Sequence, residues 1–388
     1  MCIICRTKDI KELEGIENLD CSRCPNLICI PNIKGLKCIN CIGCTNLISI
    51  PNIKGLTELL CSRCPNITNI PKIKGLKYLS CTSCHKLTNI PHIKGLEELY
   101  CSNCHKLSNI PCIKGLMFLD CSTNNITCIP NIKELKILNC SHCPNITVIP
   151  KIKELEQLNC YSCPKLSVIP NLKKLRYLNC SSCSNLKVIS RLKRLKELNC
   201  SNCSNITVIP HIKGLTKLNC FHCPKLKSIP NINELKELNC AECYSLTIIP
   251  NIYGLKKLYC QRCNNLTIIP KIDGLTNLCI DDCSKLLVIP KLLHMKQLSC
   301  FECPNIYMKE MVDYEYIQFA VADMGLEIQT HIHKYNKNVM DVITDNKWIY
   351  HEKNIQKLII IQKYTFQRLK YYNLCYYIKQ EINIDCIV

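Results

Sequence analysis

A cysteine returns every 20 residues through most of this 388-residue chain, at positions 21, 41, 61, 81, 101 and 121, then at 140, 160, 180, 200, 220, 240 and 260. Ile280 takes its place in the next unit, and the cysteine is back at 300. A unit of 20 residues cannot bury a hydrophobic face alone, whereas stacked units can, so the period predicts a solenoid. The one departure is the 19-residue step from Cys121 to Cys140.

Written from Leu76, the unit reads LKYLSCTSCHKLTNIPHIKG. Leu79 and Cys81 are two apart and share the inward face of a short strand, while Tyr78, Ser80 and Thr82 point the other way. Apolar residues recur at Leu87, Ile90 and Ile93 with Pro91 between the last two. That spacing is too irregular for a long helix and suits a tight return along the convex side. Fifteen coils at parallel-strand spacing make a rod or arc about 70 Å long.

This unit resembles the leucine-rich repeat, Leu-x-x-Leu-x-Leu-x-x-Asn/Cys-x-Leu, and the resemblance covers residues 16–305. It implies an α/β-type leucine-rich repeat solenoid with parallel short strands on the concave face and irregular or short 3-10 convex segments. The richness in Cys, Asn, Ile, Lys and Tyr also resembles short-repeat proteins encoded by giant DNA viruses of amoebae. That likeness implies a virus-encoded protein acting inside a host cell, in the cytoplasm or the nucleus. Residues 1–15 are expected to cap the first coil, because the open end of a solenoid core must be covered. In residues 306–388, Ile355, Leu358, Ile359, Tyr364, Leu369 and Tyr372 have helical spacing, so a small helical C-terminal cap or appendage is expected. Within it, IQKYTFQRLKYY from Ile361 faintly resembles a calmodulin-binding IQ helix, without an arginine at the first basic position; packing against the last coil is the expected role. His331, His333 and His351 are irregularly spaced and read as surface or packing residues.

The chain holds 37 cysteines, which raises three readings: disulfide scaffold, zinc, or a thiol core. The opening MCIICRTKDIKELEGIENLD has no apolar run followed by a cleavage site, and no later segment is long and charge-free enough to span a membrane. Sequons at Asn66, Asn125, Asn145, Asn205 and Asn265 recur at one position of the unit, where glycans would crowd stacked coils. A reducing, intracellular setting with free thiols is therefore expected.

On the resemblance, Cys81 stands at a strand leucine position and Cys84 at the Asn/Cys position. A thiol fills the first as a small hydrophobe. At the second, an Asn would hydrogen-bond the backbone of neighbouring coils, and a thiol offers a weaker version of that contact. Cys81, Cys84, Cys101, Cys104, Cys121, Asn124, Cys140 and Cys143 are thus read as a structural ladder. The short unit, FLDCSTNNITCIP, supports this: Asn124 replaces the second Cys and restores the Asn-x-apolar spacing. Zinc is the alternative, since Cys21 with Cys24, Cys61 with Cys64 and Cys220 with Cys223 have the spacing of structural half-sites. The pairs nevertheless run on with no partition into discrete four-ligand sites. Cys2 and Cys5 could bind metal, but the reading preferred is ordinary residues of the first segment, and no metal or cofactor is expected.

No acid–base pair, nucleophile constellation or phosphate-binding glycine motif stands out, so the expectation is a non-enzymatic scaffold for a protein partner. Its recognition face would be the outward strand residues. Asn139, Asn159, Asn179, Asn199, Asn219 and Asn239 form an unbroken column there, flanked two positions earlier by a variable column that includes Glu58, Tyr78, Glu98, Phe118, Tyr177 and Glu197. Separately, Lys34, Lys54, Lys74, Lys94, Lys114, Lys133, Lys153, Lys173, Lys193 and Lys213 form a basic strip on the return side. With a formal net charge of +20, that strip makes nucleic acid or an anionic surface an alternative partner, against a solvated face of splayed lysines.

Overall fold

The computed structural model describes residues 2–6, 10–290, 292, 294–300, 303 and 305. Among them, fifteen short strands form one parallel sheet, from Asn18–Asp20 to Gln297–Ser299, in which neighbours in space are consecutive coils. The register steps by one coil, so Leu59 pairs with Leu79 and Leu79 with Leu99. Across the short unit Leu119 pairs with Leu138, and both Cys121 and Ile126 stay buried. The missing residue is therefore absorbed in the turn, leaving the sheet in register.

Each coil sends the same positions inward. In one of them Leu79, Cys81, Cys84, Leu87, Ile93 and Leu96 are all buried, with Ile90 close behind. Leucine and isoleucine fill the broad part of the core, and the two small thiols sit where the chain turns out of the strand. Backbone pairing continues past the strand into that turn: Cys81 N–H donates to the Tyr100 carbonyl and Ser83 N–H to the Ser102 carbonyl, both at 2.8 Å. The turn needs a left-handed residue before the second Cys. Ser83 (φ 59°) and its equivalents from Arg23 to Asp282 supply it, and Gly43 does so in the second coil.

Helical content is smaller than an α/β-type repeat implies. Among the described residues it consists of the helix Ile3–Arg6 and the 3-10 turn Ile10–Leu13, both ahead of the first strand. The return side of the coils is largely irregular, one of the two forms expected, without 3-10 segments among the described residues, and it carries pieces of a second parallel ladder. Val168–Ile169 pairs with Val188–Ile189, and single bridges join Cys29 to Ser49, Asn69 to Asn89, Val208 to Ser228 and Ile268 to Val288. Proline explains why the pieces stay short. Most units place a Pro right after the inward Ile, and a Pro has no N–H to extend the ladder. Ser190 replaces that Pro beside the two-residue strands, and its N–H donates to the Ile169 carbonyl at 3.0 Å.

The molecule is thus a parallel β-solenoid of leucine-rich-repeat type. At its first end Leu13 is buried, and Cys2, Ile4, Cys5 and Ile16 pack against the core. Met295 packs against the core near the last strand. The expected helical C-terminal region, its three histidines and the stretch from Ile361 lie outside the described residues. Among the described residues no helix is long and apolar enough to cross a membrane.

Candidate functional site

Because strand residues alternate, the two residues flanking each buried leucine face outward, and in-register pairing stacks them into columns. Asn139, Asn159, Asn179, Asn199, Asn219 and Asn239 lie half-buried in one of these columns. Each Oδ1 accepts the backbone N–H of the residue two further on, at 3.1–3.2 Å, and so caps the turn that leaves the strand. The Nδ2 groups of this column make no hydrogen bond among the described residues. Six amide donors therefore stand in a row on the strand face.

The flanking column is chemically varied. Glu58 and Tyr177 are exposed, while Tyr78, Glu98, Phe118 and Glu197 are half-buried. Three consecutive coils bring together an aromatic patch that includes Tyr100, a residue the sequence reading did not single out. The Tyr100 ring lies 5.3 Å from Tyr78 and 4.5 Å from Phe118, at tilts of 38° and 31°. The Tyr100 hydroxyl donates to Glu98 Oε2 at 3.1 Å. Burial, with that bond and the nearby carboxylates, pushes the Tyr100 hydroxyl up to about 12, and burial with Glu98 and Glu58 raises Tyr78. Both phenols stay neutral donors at physiological pH. Tyr100 was hidden in sequence because its neighbours in that column are mostly Asn, Ser or Asp.

Farther along, the turn column carries a charged ladder. His222 Nδ1 lies 2.9 Å from Glu242 Oε2, and Arg262 bridges Glu242 at 3.0 Å and Asp282 at 3.2 Å. This ladder borders an open hollow of about 370 Å³ lined also by Phe221, Asn239 and Tyr259. A further surface was not foreseen: Val148, Val168, Val188, Val208, Ile248 and Ile268 are exposed along the fragmentary ladder of the return side.

The lysine strip, Lys34, Lys54, Lys74, Lys94, Lys114, Lys133, Lys153, Lys173, Lys193 and Lys213, is exposed throughout. Each lysine sits in the turn that enters the strand, at the sheet edge opposite the Cys-x-x-Cys turns. None has a carboxylate within ion-pair distance among the described residues; the cross-coil pairs Lys77–Glu97, Lys174–Glu154 and Lys257–Glu237 use other lysines.

The repeated thiols point into the core. From the second coil on, the second Cys donates its S–H to the carbonyl at the first-Cys position one coil back, as Cys84 does to Cys61 and Cys104 to Cys81, both at 3.2 Å, and Cys143 to Cys121 at 3.3 Å. Asn124 donates to the Cys101 carbonyl at 2.8 Å and the Cys121 carbonyl at 3.0 Å, and accepts Cys104 N–H at 2.7 Å. Burial pushes the thiols of Cys101, Cys121 and Cys260 well up. Cys140 rises for a different leading reason, its hydrogen bond with Cys163, with burial second. Among the described residues one trio of metal-ligating side chains converges, and it lies in the first segment: Cys2, Cys5 and Cys24.

No protein-family model matches the chain, and no curated protein matches it. Among solved structures, it is similar to a leucine-rich repeat protein of Leptospira interrogans at 19% identity, over 78% of this chain and 94% of that one, with a TM-score of 0.42. A leucine-rich repeat protein of Bacteroides ovatus is similar at 18% identity, over 73% and 85%, with a TM-score of 0.42. The functional domain of InlJ from Listeria monocytogenes, which includes a cysteine ladder, is similar at 21% identity, over 74% and 68%, with a TM-score of 0.35. The one-coil register of the parallel sheet and its repeated buried columns define a parallel β-solenoid.

Proposed function

We propose that the chain is a non-enzymatic leucine-rich repeat scaffold that binds a protein partner on its concave strand face. The observation that carries the reading is the packed trio Tyr78, Tyr100 and Phe118, half-buried on three adjacent coils and flanked by Glu58 and Glu98. Aromatic anchors held rigid by their neighbours concentrate binding energy at interfaces, since little side-chain freedom is left to lose. The acidic flank favours a partner segment that carries positive charge beside an apolar residue. The free amide donors of the Asn column would add hydrogen bonds along the same face. On the resemblance to giant-virus repeat proteins, the partner is a host protein met in the cytoplasm, and the free thiols of the ladder suit a reducing compartment.

Hydrogen–deuterium exchange with and without a partner isolated on the full-length chain tests the reading. Protection is expected in peptides that cover Tyr78–Ser80, Glu98–Tyr100 and Phe118–Asp120. Protection confined to the lysine turns or to the exposed valines of the return-side ladder would reject it. The ten exposed, unpaired lysines favour a second reading, nucleic-acid binding. That reading requires affinity for duplex or single-stranded nucleic acid that falls steeply with salt and disappears on Lys→Glu reversal across the strip.

A further inference from the structure

Among the described residues, the first rung of the thiol ladder has no coil beneath it. Cys44 donates its S–H to the Cys21 carbonyl at 3.0 Å and Cys64 to the Cys41 carbonyl at 3.1 Å, but among the described residues no earlier coil offers Cys24 such a carbonyl. Its place is taken by the opening segment. The helix Ile3–Arg6 brings the Cys5 sulfur to 3.5 Å from the Cys24 sulfur and 3.7 Å from the Cys2 sulfur. The Cys2 backbone N–H also points at the Cys24 sulfur, at 3.5 Å. All three sulfurs lie within 4.8 Å of one another.

These separations match a metal site closely. With a zinc–sulfur bond of about 2.3 Å, tetrahedral coordination sets sulfurs about 3.8 Å apart. The Cys-x-x-Cys spacing of Cys2 and Cys5 is that of a structural half-site, and Cys24 supplies a third ligand from the fold itself. Elsewhere in the ladder the second thiols are already engaged with carbonyls and no other trio converges among the described residues.

We propose that Cys2, Cys5 and Cys24 bind one Zn²⁺ through three thiolates, with the fourth position open to a solvent or exogenous ligand, and that the ion clamps the opening segment onto the first coil. The clamp holds the opening segment over the core of the first coil, at the part of the stack most prone to fray. It is independent of the partner-binding reading, since it lies at the end of the stack, away from the aromatic patch. Binding releases the thiol protons still present on the ligands and couples metal affinity to the folding of the first coil.

The test uses the full-length chain with any tag at the C-terminus, purified under a phosphine reductant without chelator, exposed to zinc and dialysed. Elemental analysis is expected to find about one zinc per chain, falling to about zero in the Cys2→Ser/Cys5→Ser double variant. The other coils keep their own core, so circular dichroism of the double variant should differ from wild type by no more than the first coil and opening segment contribute, which keeps the loss interpretable. Cys84→Ser should retain the metal. Cobalt(II) in place of zinc should show thiolate-to-metal charge transfer and the intense visible bands of a tetrahedral site, both lost in Cys24→Ser. No bound zinc in the reduced wild-type chain, or zinc retained in full by the double variant, overturns the proposal.

Discussion

Asn124 shows what a buried amide does that a thiol does only in part. It is 1% exposed and joins three backbone groups of two coils, whereas Cys84 reaches one carbonyl of the coil below. Asn124→Ala would leave Cys104 N–H and the Cys101 carbonyl unpaired, while the Cys121 carbonyl keeps the Cys143 thiol, at a cost of about 3 kcal/mol, against about 1 kcal/mol for Cys84→Ala. Since a repeat array need not unfold in one step, the readout is amide exchange in the coils on either side of each substitution. The cysteines also divide by environment. Cys29, Cys112 and Cys128 are exposed, while Cys101, Cys121 and Cys260 are buried with thiols held protonated. Only thiolates react readily with alkylating agents. Brief treatment of the native protein with N-ethylmaleimide, followed by peptide mass spectrometry, should label the first three and spare the second three.

At the scale of the element, the turn that enters each strand exists in two forms. In the third coil it is closed by Leu56 N–H donating to the Ile53 carbonyl at 3.4 Å, with Gly55 at φ 90°. A Cβ at Gly55 would meet nothing within 4 Å, so the cost of Gly55→Ala is that of the backbone conformation alone, about 1 kcal/mol. Glu134 occupies the same place after Lys133 without a positive φ, and Glu134→Ala should change stability by less than about 0.5 kcal/mol. Chemical denaturation of the two variants side by side checks the contrast. Much of this element was legible beforehand. The spacing of Leu79, Cys81, Cys84 and Leu87 places the strand, the turn and the inward columns because a period of two and a 20-residue register leave few alternatives. Other features were not legible. The left-handed column at Ser83 and its equivalents is occupied by Arg, Ser, Asn, Thr, His, Glu and Asp, which share only the polarity of any exposed turn, so the backbone requirement leaves little trace in composition. The return-side ladder was hidden by its prolines, and its pairing beside Ser190 depends on one missing ring.

Over the whole molecule, function follows from which columns are spent on building the stack and which remain for a partner. The inward thiols, leucines and isoleucines are consumed by packing, and the Oδ1 atoms of the Asn column by the turns. What remains on the strand face is the row of amide donors and the varied column that contains Tyr78 and Phe118. The site was readable as a face, because alternation says which residues point outward. Its centre was not, because Tyr100 stands in a different column from Tyr78 and Phe118 and only the sheet's side-by-side geometry joins the three rings. Likewise Cys24 meets Cys2 and Cys5 only through the path of the opening segment. The central claim, that the aromatic patch on the concave face is where a partner docks, is tested most directly by calorimetric titration of a purified partner into the wild-type chain and a Tyr100→Ser/Phe118→Ser variant. An affinity loss of about tenfold or more, with unchanged circular dichroism and little effect from reversing Lys94, Lys114 and Lys133, is the expected result. Equal affinity for the wild-type chain and the aromatic variant would contradict it.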